Sequence, residues 1–189
     1  MKNNRNKISA LCCLIFASVF LFSCEEDDSE KQWGEALIYM PQVNINGNLT
    51  NILYPVPLKN NASTKNYEVR ANKQLYVYLG VYRSGLQKLE SFTVDVAADL
   101  QSTNEYVVGN ANRRALSTDA FTLPNKVTVP DGERETTFYL VVDLNKLGTA
   151  STNFNIVLDV FISNPSKYEL KKELTKTRVV IDGREFLPN

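Results

Sequence analysis

From Ala36 onward, apolar and polar residues alternate with a period of two, the signature of strands whose successive side chains point to opposite faces. Phe92, Val94 and Val96 alternate with Thr93, Asp95 and Ala97. Phe138, Leu140, Val142 and Leu144 alternate with Tyr139, Val141, Asp143 and Asn145. In a third run Phe154, Ile156, Leu158, Val160 and Ile162 make one face, against Asn155, Val157, Asp159 and Phe161. A last strand runs from Thr177 to Asp182, with Val179 and Ile181 on one side. Leu37–Met40, Leu53–Leu58 and Tyr67–Ala71 are shorter candidates. No stretch of a dozen residues keeps a helical period, so the pattern predicts little helix.

Turn chemistry separates the runs. Asn46-Gly47-Asn48 and Asp131-Gly132 are strong turn signals. Ser163-Asn164-Pro165-Ser166 closes the third run, because proline cannot donate to a central ladder. The polar segment Ala98–Ser117 reads as a long connection. About seven short strands with frequent turns predict an all-β, immunoglobulin-like two-sheet sandwich, and no internal repeat or linker divides it.

One run carries more than a core face. In Leu75-Tyr-Val-Tyr-Leu-Gly-Val-Tyr82, the residues Leu75, Val77, Leu79 and Val81 point one way. Tyr76, Tyr78 and Tyr82 then point the other way, with same-face neighbours roughly 6.6 Å apart. Aromatic rings at that spacing can stack on the apolar faces of successive sugar units, with phenolic hydroxyls for a polar rim. Tyr76, Tyr78 and Tyr82 are therefore the candidate glycan contacts. The bland alternative is cross-strand packing on an outward sheet face.

The amino terminus follows a different logic. Lys2, Arg5 and Lys7 precede the apolar run Ile8–Phe22, which has signal-peptide length and is short for a membrane span. Leu21-Phe22-Ser23-Cys24 then resembles the lipobox of bacterial lipoproteins: aliphatic, small, then an obligatory thiol to accept diacylglycerol. Residues 1–23 are read as a lipoprotein signal peptide, Cys24 as the lipid attachment site, and 24–35 as an acidic tether rich in Glu and Asp. Residues 36–189 form the single domain. Trp33, just beyond the acidic run, is expected to plug one end of the sandwich, since burying a large ring gains about 2 kcal/mol.

Composition narrows the chemistry. Lys plus Arg and Asp plus Glu balance at 21 each, and loss of residues 1–23 leaves a formal charge of −3. No basic footprint for nucleic acid is present; Arg113-Arg114 and Lys171-Lys172 read as solvated surface. The chain contains no histidine, which removes Ser-His-Asp and Cys-His arrangements and histidine-bound zinc. Cys12, Cys13 and Cys24 are its three cysteines, so a mature chain has no internal disulfide. Among Asp95, Asp99, Asp143 and Asp159, two opposed carboxylates could in principle form an acid/base pair or a calcium site. Asp95, Asp143 and Asp159 sit on polar phases, where solvated carboxylates are expected, and no Asp-x-Asp-x-Asp loop exists. Glycine-rich phosphate cradles are absent, so no cofactor, no metal and no catalytic residue is predicted.

The succession Phe92–Asp99, Ala120-Phe-Thr-Leu-Pro124, Val127-Thr-Val-Pro130-Asp-Gly132 and Thr137–Asp143 resembles the DUF1735 family of Bacteroidetes surface lipoproteins. The resemblance covers about residues 36–182. It implies an immunoglobulin-like sandwich on a cell-surface accessory protein associated with glycan uptake, with no catalytic residues to carry over. The expectation is thus a non-catalytic outer-membrane lipoprotein, facing either outward or toward the periplasm, held to the membrane by its lipid and assisting glycan capture. Envelope proteins are the other partner class, through an adhesin or assembly module that pairs an open sheet edge with a partner strand.

Overall fold

Strand alternation becomes two facing layers. The computed structural model describes residues 34–44, 52–58, 65–85, 89–148 and 153–187, all within the compact unit Gly34–Asn189. In chain order the strands are β1 (Leu37–Tyr39), β2 (Leu53–Val56), β3 (Tyr67–Arg70), β4 (Gln74–Arg83), β5 (Phe92–Ala98), β6 (Arg113–Ala115), β7 (Phe121–Thr122), β8 (Lys126–Val129), β9 (Glu135–Asp143), β10 (Asn155–Ser163), β11 (Glu169–Leu170) and β12 (Lys176–Asp182). Helix α1 (Leu100–Val107) lies between β5 and β6, and the one-turn helix α2 (Gly183–Phe186) follows β12. The first sheet has the order β11-β1-β4-β9-β7, with β3 also on β4; the second has β2-β12-β10-β5-β8, with β6 also on β10. This is the expected all-β two-sheet sandwich. It has more strands than the seven anticipated, because runs of two to four residues such as β7 and β11 are too short to announce a period.

The apolar phases meet between the layers. Leu75, Val77, Leu79 and Val81 of β4 and Leu140 and Val142 of β9 are essentially without exposure. Phe92, Val94, Leu158, Val160, Val179 and Ile181 close the other side of the same core. Burial of each such side chain stabilises the fold by roughly 1.5–3 kcal/mol. The Asp131-Gly132 turn forms as expected, with Gly132 at a φ of 82°, a left-handed conformation that suits glycine.

The segment Ala98–Ser117 departs from the long connection that its polarity suggested. It contains α1, whose amino end is capped by Asp99 accepting from the Ser102 amide at 2.9 Å. That bond, and then Lys176 at 3.2 Å, holds the Asp99 carboxyl below the usual carboxylate range against an opposing effect of burial. The helix seats on the second sheet through polar groups. Ser102 donates to Asp159 Oδ2 at 2.6 Å, and the Asp159 amide donates to Thr103 Oγ1 at 2.9 Å. Arg178 meets both oxygens of Asp159, at 2.6 and 2.7 Å. The Tyr106 ring lies between the guanidinium groups of Arg178 and Arg113, 3.7 and 4.1 Å from its centroid.

Two expectations are corrected by this arrangement. Asp159 is not a solvated carboxylate; its side chain is fully buried beneath α1. Of the Arg113-Arg114 doublet, Arg114 is exposed as expected, 3.8 Å over the Phe154 ring, whereas Arg113 is half-buried against Tyr106. The terminal strands β2, β3, β7, β8 and β11 have four residues or fewer, and β7 pairs only with Val141 and Val142 of the nine-residue β9.

Candidate functional site

The outward face of the first sheet collects the tyrosines. Strand β4 pairs with β9 so that Tyr78 stands directly opposite Tyr139 and Tyr76 opposite Val141. Tyr139 is 38% exposed, while Tyr76 and Tyr78 are half-buried. Its ring meets Tyr76 and Tyr78 edge-on, with centroids 5.8 and 5.6 Å away and planes at 73° and 72°. On the other flank of β4, Arg70 of β3 lays its guanidinium 3.9 Å above the Tyr76 ring and 5.8 Å from that of Tyr139. An ion pair with Glu68 at 2.9 Å steadies this arginine and raises its pKa above the ordinary value.

Of the three predicted contacts, Tyr76 and Tyr78 come together and Tyr82 does not join them. Gly80 stands between Tyr78 and Tyr82 on the outward face, and the 3-10 turn Pro41–Asn44 lies over it. A Cβ on Gly80 would stand 3.4 Å from Gln42 and Pro41, ordinary contact distance, which places the turn directly against this side of the strand. Beyond the turn, Tyr82 instead packs against Tyr39 of β1, with centroids 5.1 Å apart. Burial raises the Tyr39 pKa, with Tyr82 and Glu135 adding to the effect.

Tyr78 is fixed from below. Its amide donates to the Asn66 carbonyl at 3.0 Å and its own carbonyl accepts from the Tyr54 hydroxyl at 3.1 Å. Tyr54 comes from β2 in the opposite sheet and is buried; desolvation pushes its pKa up to about 12, so the phenol remains a donor at neutral pH. Two shallow grooves flank the ring cluster. One is lined by Lys65, Tyr67, Glu68, Val69 and Tyr78, the other by Thr122, Leu123, Pro124, Phe138, Tyr139 and Val141. Tyr139 and Arg70 were not singled out from sequence. Tyr139 was visible as the outward partner of Phe138 and Leu140, but only strand pairing shows that it faces Tyr78.

The four aspartates each have structural employment. Asp95 pairs with Lys126 at 3.4 Å and accepts from Asn164; Asp99 caps α1. Asp143 accepts from the Asn145 amide at the 3-10 turn Leu144–Leu147, and Asp159 is locked to Arg178. Among the described residues, no group of three or more histidine, cysteine, aspartate or glutamate side chains could hold a metal, and no helix is long and apolar enough to cross a membrane. Cys24 and Trp33, with the leader and nearly all of the acidic run, lie outside the described residues.

The model of a "-like, N-terminal domain" family matches residues 39–169, well over half of the sequence. The chain belongs to that family, DUF1735. Among curated proteins none matches the chain. Its fold does match solved structures. A protein of unknown function from Bacteroides ovatus superposes with a TM-score of 0.54 at 13% identity, over 77% of this chain and 46% of the other. A multidomain protein including DUF1735, also from Bacteroides ovatus, gives 0.48 at 12% identity, over 71% of this chain and 41% of that one. A "putative carbohydrate binding protein" from Bacteroides ovatus ATCC 8483 gives 0.50 at 11% identity, over 77% and 36% respectively. The chain spans less than half the length of each of these structures. Identity this low carries the shared fold and nothing of the ligand.

Proposed function

We propose that this DUF1735 chain is a non-catalytic, lipid-anchored protein of the bacterial outer membrane that assists glycan capture. The observation that carries the reading is the partly exposed tyrosine cluster of Tyr76, Tyr78 and Tyr139 on an outward sheet face. Aromatic carbon beside phenolic hydroxyls suits sugars, which present an apolar ring face and a polar rim. The "putative carbohydrate binding protein" among the fold neighbours is consistent with this reading.

Isothermal titration against a panel of oligosaccharides tests it. Wild type should release binding heat with at least one glycan, and Tyr76→Ala/Tyr78→Ala should weaken that affinity about tenfold or more, the loss of more than ~1.4 kcal/mol. Equal heats for the two proteins, or none for either, would sink the proposal.

Anchoring is tested separately. In this reading Cys24 carries the lipid, so Cys24→Ser should move the protein from the detergent phase to the aqueous phase on phase partitioning. A serine variant that still partitions like wild type would refute attachment at this residue.

A further inference from the structure

We propose that the open edge of β9 joins a second copy of this chain, the two β9 strands pairing antiparallel about Thr137 so that two first sheets become one. This does not rest on the glycan reading, since it uses the backbone at the edge of the sheet rather than the rings on its face.

The register decides which backbone groups are spare. On one flank β9 pairs with β4 along its whole length, Glu135 to Asp143. The Arg83 amide donates to the Arg134 carbonyl at 2.8 Å, and hydrogen-bonded pairs recur at every second residue of an antiparallel ladder. Thr136, Phe138, Leu140 and Val142 therefore aim their amides and carbonyls at β4, while Glu135, Thr137, Tyr139, Val141 and Asp143 aim theirs away from it. The Asp143 amide fits that phase, donating to the Ala120 carbonyl at 2.8 Å. β7 takes up Val141 and then stops. The next ladder partner, opposite Tyr139, would be Pro124, which has no N–H to give. Among the described residues, no hydrogen bond meets the outward backbone groups of Glu135, Thr137 or Tyr139. Three amides and three carbonyls thus stand in one row, and the three side chains are exposed.

Such a row is a template for another strand, and its limits select the strand that fits. It ends at Tyr139, where β7 begins, and at Glu135, where the chain comes over from β8. β9 itself meets those limits. With Thr137 on a two-fold axis, Thr137 faces its own copy and Glu135 faces Tyr139 in both directions, which makes three hydrogen-bonded pairs. An axis at Phe138 would set Glu135 against Val141, whose edge β7 already holds. An axis at Thr136 would take Tyr139 out of the ladder. The Thr137 register also suits the side chains. Threonine pairs are favourable across strands, each Glu135 carboxylate lies by a Tyr139 phenol, and the two glutamates stand roughly 13 Å apart along the ladder. The groove beside Tyr139, walled on its far side by Leu123 and Pro124, gives the incoming strand room at that end. A ladder this short makes a small interface, so the dimer forms in a concentration-dependent way.

The test uses the full chain in detergent. Sedimentation velocity over a range of concentrations should show a monomer–dimer equilibrium. Thr137→Pro removes an amide that bonds nothing in its own chain, so it should melt close to wild type and stay monomeric at every concentration. Thr137→Cys should form an intermolecular disulfide on mild oxidation, because the Cα atoms of a hydrogen-bonded pair lie about 5.5 Å apart. Thr128→Cys, exposed on β8 in the other sheet, should cross-link no more than wild type, which carries the same native cysteines. If Thr137→Pro fails to fold, the two cysteine variants decide alone. A monomer at all concentrations, with Thr137→Cys cross-linking no faster than Thr128→Cys, would overturn the proposal. A dimer that survives in folded Thr137→Pro would overturn it too, by placing the contact elsewhere. Glycan binding is read by its own titration and stands or falls apart from these results.

Discussion

Replacing Asp159 with alanine is expected to destabilise the fold by about 3–5 kcal/mol, the usual result of breaking a buried ion pair from one side. The carboxylate is fully buried and accepts from Arg178 through both oxygens and from Ser102. Its removal leaves the Arg178 guanidinium, only 13% exposed, without its counter-charge beneath α1. Denaturant unfolding, read as a shift in midpoint at constant slope, measures the loss. The replacement Asp159→Leu/Arg178→Met removes both charges together and should be more stable than either single change, because most of the penalty is a stranded charge. A single alanine variant within about 1 kcal/mol of wild type would show that α1 and the ion pair are not seated as described.

Phe92→Ala should cost a similar amount, about 3–5 kcal/mol, by a different mechanism. The Phe92 ring is 1% exposed and meets Tyr168 edge-on, with centroids 5.6 Å apart at 89°. Tyr168 in turn accepts a hydrogen bond from Arg83 at 2.9 Å, and Arg83 is fully buried. Deleting the ring opens a cavity and withdraws the surface that holds Tyr168 against the arginine. Phe92→Leu, which refills most of that volume, should recover much of the loss. Thermal and denaturant unfolding of the two variants would check the order: leucine must lie between alanine and wild type.

The sandwich was legible in the alternation because each long strand buries one side. Phe92, Val94 and Val96, or Leu75, Val77, Leu79 and Val81, could face only a shared interior. What escaped was decided by partners distant in sequence. The helix Leu100–Val107 gave no apolar stripe because Ser102, Thr103 and Tyr106 seat it by hydrogen bonds and ring stacking. Asp159 occupies a polar phase of its strand, so local pattern placed it in water; the helix above it reversed that. The tyrosine face was half visible. Tyr76 and Tyr78 were found from one strand, whereas Tyr139 and Arg70 needed the registers of β9 and β3. Tyr82 was misplaced in the group because nothing local to Gly80 announces that Pro41 and Gln42 will lie over it.

The polar seat of α1 also has a consequence for the order in which the chain assembles. Ser102 waits for Asp159, 57 residues downstream, and for Arg178, 76 residues downstream. The helix therefore leaves the ribosome early and docks late, since its anchoring charges belong to two of the last strands made. Until β12 is in place, Asp159 has no counter-ion and the outer side of β10 is unsealed. Closure of this long loop in sequence, rather than formation of the helix itself, should set the pace of the final folding step.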